Sequence, residues 1–226
     1  MVALTSKEVN YGYFRDIGGF PDVPIITTLS EYDCSGHACV ACTQLAGQFS
    51  DSEAQKILRD WIVFLTEHPE EFHSLHFNTR VPQALFDAAC MQQNLTELRC
   101  KWGGYADLSG LRNISRLEYL YLGSGSSVHS LTPIPELNSL RVLYLENFHK
   151  ITDYSPLVQL SNLEQLVISG PTFGNISIDD LRFVCRMPSL RSIWLPNTVL
   201  NHTAAERKEL RSTGIQGIFE QEWWKL

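Results

Sequence analysis

Leu117-Glu-Tyr-Leu120-Tyr-Leu122 decides how this chain folds, because it recurs. Leu140-Arg-Val-Leu143-Tyr-Leu145, Leu163-Glu-Gln-Leu166-Val-Ile168 and Leu190-Arg-Ser-Ile193-Trp-Leu195 have the same form. Leu95-Thr-Glu-Leu98-Arg-Cys100 and Phe72-His-Ser-Leu75-His-Phe77 precede them. The starts at 72, 95, 117, 140, 163 and 190 differ by 23, 22, 23, 23 and 27 residues. Within each copy the fourth and sixth positions are apolar and flank a variable one, which is strand periodicity. A single such strand cannot bury its apolar side alone. The copies must therefore stack into a parallel sheet, with the segments between them returning along the outside.

The returns are apolar too: Leu131, Ile134 and Leu137 serve one copy, and Ile151, Leu157 and Leu160 the next. A period in the low twenties around an L-x-x-L-x-L core marks a leucine-rich repeat. The stretch Ile151-Thr-Asp-Tyr-Ser-Pro156-Leu157, followed by Leu160-Ser-Asn-Leu163, resembles the short repeats of bacterial internalins. The resemblance covers about residues 72 to 200. It implies an α/β leucine-rich repeat solenoid with the parallel sheet on its concave side. It also implies an Asn just after each strand. Asn147 and Asn197 come near that place, whereas Gly125 and Pro171 occupy it elsewhere, so the ladder is expected to be incomplete.

Before the repeats, residues 1–30 are broken by Gly and Pro, with Ile25–Leu29 as a short strand. Residues 36–49 read as a modest helix. Ser50-Asp-Ser-Glu53 is a capping box, and Ala54, Ile57, Leu58, Trp61 and Leu65 then form one helical face that Pro69 ends. These helices are expected to cap the stack. Residues 82–91 read as a third helix, within the first return. Ser177 to Arg186 reads as a short capped helix and Thr203 to Arg211 as a charged one. A last strand is expected at Ile215 to Phe219, with Trp223 and Trp224 folded over the end. The expected division is an N-terminal segment and helical cap over 1–71, repeats over 72–200 and a C-terminal cap over 201–226.

The formal net charge is -7, from 18 Lys and Arg against 25 Asp and Glu. This opposes general nucleic-acid binding and favours a basic partner. No run of eighteen apolar residues exists, and Met1-Val-Ala-Leu-Thr-Ser-Lys-Glu lacks a signal-peptide layout. A cytoplasmic location without membrane contact is expected. Without export the sequons at Asn94, Asn113, Asn175 and Asn201 carry no glycan meaning, and the six cysteines stay reduced. Cys90, Cys100 and Cys185 read as small core residues.

Cys34-Ser-Gly-His37-Ala-Cys39-Val-Ala-Cys42 offers four possible zinc ligands within nine residues, but no second ligand pair exists to complete a wrapped site. It reads as a helix face with Cys39 and Cys42 packed, and neither a cofactor nor a metal is expected. Gly123-Ser-Gly-Ser-Ser127 lacks the Lys of a phosphate loop and reads as a turn. The paired carboxylates Asp179 and Asp180 read as a helix start.

One outward residue per strand forms a column down the concave sheet: His76, Arg99, Tyr121, Tyr144, Val167 and Trp194. The column before it runs Ser74, Glu97, Tyr119, Val142, Gln165 and Ser192, and the one after it includes Lys101 and Glu146, with Trp102 at the edge. Exposed aromatic and Arg side chains on a solenoid's sheet are what interface anchors look like. The partner-binding residues are therefore expected to be His76, Arg99, Trp102, Tyr119, Tyr121, Tyr144, Glu146 and Trp194. The competing reading makes them strand formers packed on one another, or internal under a folded-back N-terminal segment. The first functional expectation is a non-enzymatic module binding a protein, in one form an inhibitor or immunity protein that neutralises a basic toxin or effector. The alternatives are an adaptor with several partners, and an enzyme with its chemistry in the N-terminal Cys/His segment.

Overall fold

The computed structural model describes residues 23–217. The expected Phe219 end of the last strand and the Trp223 and Trp224 cover lie outside the described residues, as does the folded-back segment within 1–22. Ten strands and three α-helices are described: β1 Ile25–Ile26, β2 His37–Val40, α1 Asp51–Glu67, β3 Ser74–Pro82, α2 Gln83–Ala89, β4 Glu97–Gly104, β5 Tyr119–Leu122, β6 Val142–Glu146, β7 Gln165–Ser169, β8 Ile176–Ile178, β9 Ser192–Trp194, β10 Thr198–Leu200 and α3 Ala204–Ser212.

Eight strands form one parallel sheet in the order β1-β2-β3-β4-β5-β6-β7-β9, and β8 with β10 form a small parallel pair. The repeats align residue for residue: Leu98, Leu120, Leu143, Leu166 and Ile193 lie side by side, and Cys100, Leu122, Leu145 and Ile168 form the next row. All nine are fully buried, and the return residues Ile134, Leu157 and Leu160 close over them from the outer side. Stacking thus buries what no single repeat could.

Residues 36–49 form a strand and loop rather than the expected helix. Ala38 and Val40 pair with Leu75 and Phe77 and point into the same core. That burial outweighs the weak helical pattern. Positive φ at Gln44 and Gly47 then bends the chain away from helix. The sheet accordingly begins before the first repeat quoted above. Helix α1 is capped as expected, with Glu53 N donating to Ser50 Oγ at 3.4 Å and Ser50 N to Glu53 Oε2 at 2.9 Å. It connects β2 to β3 and packs beside α2, as the return of a first, longer repeat. Trp61, Phe64 and Phe72 surround Tyr32 there, with ring centroids 5.0 to 6.4 Å apart.

Further along, Ile176–Ile178 is a strand, so Ser177 caps nothing. Asp180 Oδ1 accepts from Arg182 N at 2.8 Å and starts a single 3-10 turn over Arg182–Arg186. Cys185 is only half-buried there, unlike Cys90 and Cys100. Asn147 and Asn197 both take left-handed backbone (φ 58 and 54) in the turns after their strands, and the Asn197 amide donates to Pro171 O at 2.8 Å. Gly125 is small because the Phe148 ring lies where its Cβ would be.

Candidate protein interface

The pairing register places the outward residues as the sequence pattern requires. Cys39, His76, Arg99, Tyr121, Tyr144, Val167 and Trp194 stand abreast on successive strands. Cys39 is an unforeseen seventh member, brought in because β2 is a strand. Glu97, Tyr119, Val142, Gln165 and Ser192 form the neighbouring row. A register shift after Phe77 sets Arg80 beside Trp102, yet Lys101 Nζ still reaches Asn78 Oδ1 at 3.3 Å.

These side chains hold one another. The Tyr121 and Tyr144 rings meet edge to face, with centroids 4.6 Å apart. The Arg99 guanidinium lies 5.3 Å from the Tyr121 centroid, and Tyr121 Oη donates to Glu146 Oε2 at 2.8 Å. His76 Nε2 lies 2.9 Å from Glu97 Oε1 and 3.2 Å from Ser74 Oγ. Lys101 Nζ lies 4.9 Å from the Trp102 ring centroid. Such edge-to-face and cation–ring contacts each add about 0.5–1.5 kcal/mol beyond area burial.

The expected exposure of this face is corrected. His76, Arg99 and Tyr121 are buried, the last two keeping 4% of their surface. Tyr119, Tyr144, Glu146 and Trp194 are half-buried, and only Trp102 is exposed, at 43%. Outward side chains on adjacent strands stand about 4.8 Å apart, and contacts such as Tyr121 with Tyr144 and Arg99 with Tyr121 cover part of their surface. The electrostatics follow from that burial. Burial pushes the Tyr121 and Tyr144 phenols well up and lowers the Arg99 guanidinium. It also raises the Glu146 carboxyl, against the Tyr121 hydrogen bond that favours the charged form.

A charged ladder borders the face, unforeseen although its signal is in the motif. The second position reads Glu118, Arg141, Glu164 and Arg191, alternating in sign. Buried Arg141 donates from Nη2 to Glu164 Oε1 at 2.6 Å and from Nη1 to Tyr119 Oη at 2.9 Å, and Nη1 lies 3.4 Å from Glu118 Oε2. Arg191 Nη1 reaches the other Glu164 oxygen at 3.3 Å.

The N-terminal Cys/His segment does not converge. On a strand His37 and Cys39 share the outward face, but Cys34 and His37 are exposed while Cys39 and Cys42 are buried. Among the described residues no group of three or more His, Cys, Asp or Glu is arranged to hold a metal ion. Burial pushes the Cys39 thiol up to about 11, against Arg99 and Lys101, and the Cys42 thiol up to about 12. Raised thiols of this kind have less thiolate near neutral pH than an ordinary cysteine.

No helix among the described residues is long and apolar enough to cross a membrane. No protein-family model matches the sequence, and no curated protein matches it. Among solved structures, the fold is similar to an internalin (InlF) of Listeria monocytogenes, at 18% identity and a TM-score of 0.50 over 66% of this chain and 47% of that one. An internalin C2 of the same organism matches at 21% identity and a TM-score of 0.46, over 62% of this chain and 58% of that one. A leucine-rich repeat protein of Leptospira interrogans matches at 13% identity and 0.35, over 62% and 47%. The chain thus spans roughly half the length of these proteins. The InlF likeness, the repeat period and the in-register parallel sheet together establish the leucine-rich repeat fold.

Proposed function

We propose that this leucine-rich repeat chain is a non-enzymatic interaction module that binds a partner protein through its concave face. Tyr119, Tyr121, Tyr144 and Trp194 are its apolar anchors; His76, Arg99, Glu146 and Trp102 surround them. The observation that supports this most is the aromatic ladder itself: rings on successive strands, in register, with an Arg and a carboxylate fixed against them. Rigid aromatic side chains with polar tips are the commonest anchors of protein interfaces. The raised Cys39 and Cys42 thiols favour this reading over chemistry in the Cys/His segment.

The net charge of -7 favours a basic partner. A small acidic module with one recognition face suits an inhibitor, and in its most concrete form a cytoplasmic immunity protein that neutralises a cognate toxin or effector. An adaptor would instead show several partners. The test is affinity capture of the tagged chain from its native host beside a Trp102→Ala/Trp194→Ala variant. Neither residue is fully buried, so the fold is kept, and circular dichroism checks it. One stoichiometric partner, lost in the variant, is the expected result. Several substoichiometric partners would favour the adaptor, and a partner held equally by the variant would remove the concave face from the proposal.

A further inference from the structure

The chain's net charge is -7, yet one edge of the main sheet carries the opposite sign. All its strands are parallel, so the turns that follow them lie along the same edge. Those turns, residues 78–82, 101–104, 123–129, 147–150, 170–175 and 195–197, hold Arg80, Lys101, Lys150, His129 and His149 and no Asp or Glu. The other edge mixes both signs, as in the ladder of Glu118, Arg141, Glu164 and Arg191. Arg80, Lys150, His129 and His149 are exposed. Among the described residues neither Arg80 nor Lys150 pairs with a carboxylate; Lys150 Nζ lies 3.2 Å from His129 Nε2. At physiological salt the screening length is about 8 Å, so these local cations, and not the distant carboxylates, set the potential at this edge.

Two large apolar side chains stand in the same turns: Trp102, 43% exposed, and Phe173, 93% exposed. A lone exposed ring needs no explanation. These two border the run of cations. Trp102 lies on β4 and Phe173 follows β7, three strand spacings apart or about 14 Å. Arg80 on β3 and Lys150 after β6 are separated by the same number of strands. An extended peptide crosses that distance in about four or five residues.

We propose that this edge is a second docking surface, which takes a short acidic segment of a protein partner with apolar side chains among its carboxylates. The carboxylates meet Arg80, Lys101 and Lys150, and the apolar side chains meet Trp102 and Phe173. Exposed ion pairs are individually weak, so several must act together with the rings. Cations beside rings also suit single-stranded RNA, but a long polyanion would run on past the edge into a chain of net negative charge. The proposal does not rest on the concave-face reading; Trp102 alone belongs to both surfaces.

The test is the fluorescence anisotropy of a labelled peptide of Asp and Glu with one Leu and one Phe, added to the full chain at physiological salt. The same peptide with Lys in place of the carboxylates, and a single-stranded oligouridylate, are measured beside it. The acidic peptide is expected to bind more tightly than either. Arg80→Glu/Lys150→Glu is expected to weaken it about ten-fold or more, and Phe173→Ser several-fold. All three side chains are exposed, so the fold is kept, which circular dichroism checks. No binding of the acidic peptide, or unchanged binding to either variant, would overturn the proposal. So would a basic peptide or oligouridylate bound as tightly. Because Trp102 and Trp194 are untouched, a partner captured through the concave face survives the charge reversal, and the two surfaces fail separately.

Discussion

At the scale of single residues, Arg141 is the position to disturb. Its guanidinium is buried between Glu118 and Glu164, and removing it leaves two carboxylates facing each other at the rim. Breaking a buried ion pair from one side costs up to about 3 kcal/mol, and less where a second cation or solvent remains, as Arg191 does for Glu164. Arg141→Met is therefore expected to lower the urea unfolding free energy by about that much, and an unchanged midpoint would show the ladder to be ornamental. Glu146 behaves in the opposite sense. Its folded pKa is raised above the ordinary carboxylate range by burial, so its ionisation costs stability, and the cost grows as pH climbs from that ordinary range to the raised value. Glu146→Gln is expected to gain on the parent chain as pH moves from about 4 to about 8, measured by thermal unfolding; a constant difference would refute it. Thiol titration offers a third check. Cys34 should react with a disulfide reagent in the folded chain, whereas Cys39, Cys42, Cys90 and Cys100 should wait for denaturant, because all four are buried. Fast reaction of Cys39 would reopen the Cys/His segment as a chemical site.

Among the elements, the strands were the most legible from sequence, because alternation at a fixed period names both the strand and its inward residues. The register of Leu98, Leu120, Leu143 and Leu166 follows from the motif alone. The β2 strand was not legible. His37-Ala-Cys-Val40 is four residues long, carries no Leu, and is set by what it pairs with, Leu75 and Phe77. Burial of the concave columns was hidden for a related reason: a one-strand pattern tells which side a residue faces, not how its neighbours on adjacent strands pack against it. A second ladder was legible in hindsight. The residue before four of the six motifs bonds a carbonyl of the preceding repeat: Asn94 to Glu70 O, Ser139 to Ser115 O, Asn162 to Asn138 O and Ser189 to Ser161 O, at 2.7 to 2.9 Å. Each position is polar in the sequence, but the side chains differ too much to read as a motif. Asn162→Ala is expected to cost about 1 kcal/mol. The capping Ser50→Ala should cost about as much by the same denaturation assay; losses below a few tenths of a kcal/mol for both would show that these bonds merely replace bonds to water.

For the whole molecule, stability comes from interfaces between adjacent repeats rather than from one central nucleus. Leu143 lies in the middle of the inward row and is fully buried. Leu143→Ala is expected to cost about 2–5 kcal/mol and to loosen the repeats on both sides, which amide hydrogen exchange would show as faster exchange in β5 and β7 than in β3. Uniform acceleration along the chain would mean that the stack opens as one unit. The parallel, in-register sheet has a mechanical consequence as well. Its interstrand hydrogen bonds run along the axis of the stack, so a force drawing β1 away from β9 loads them one row at a time. Such a chain yields by unzipping. Under tension it would lengthen in steps of one repeat, about 23 residues each where the period is regular, at forces well below those that shear a sheet along its strands.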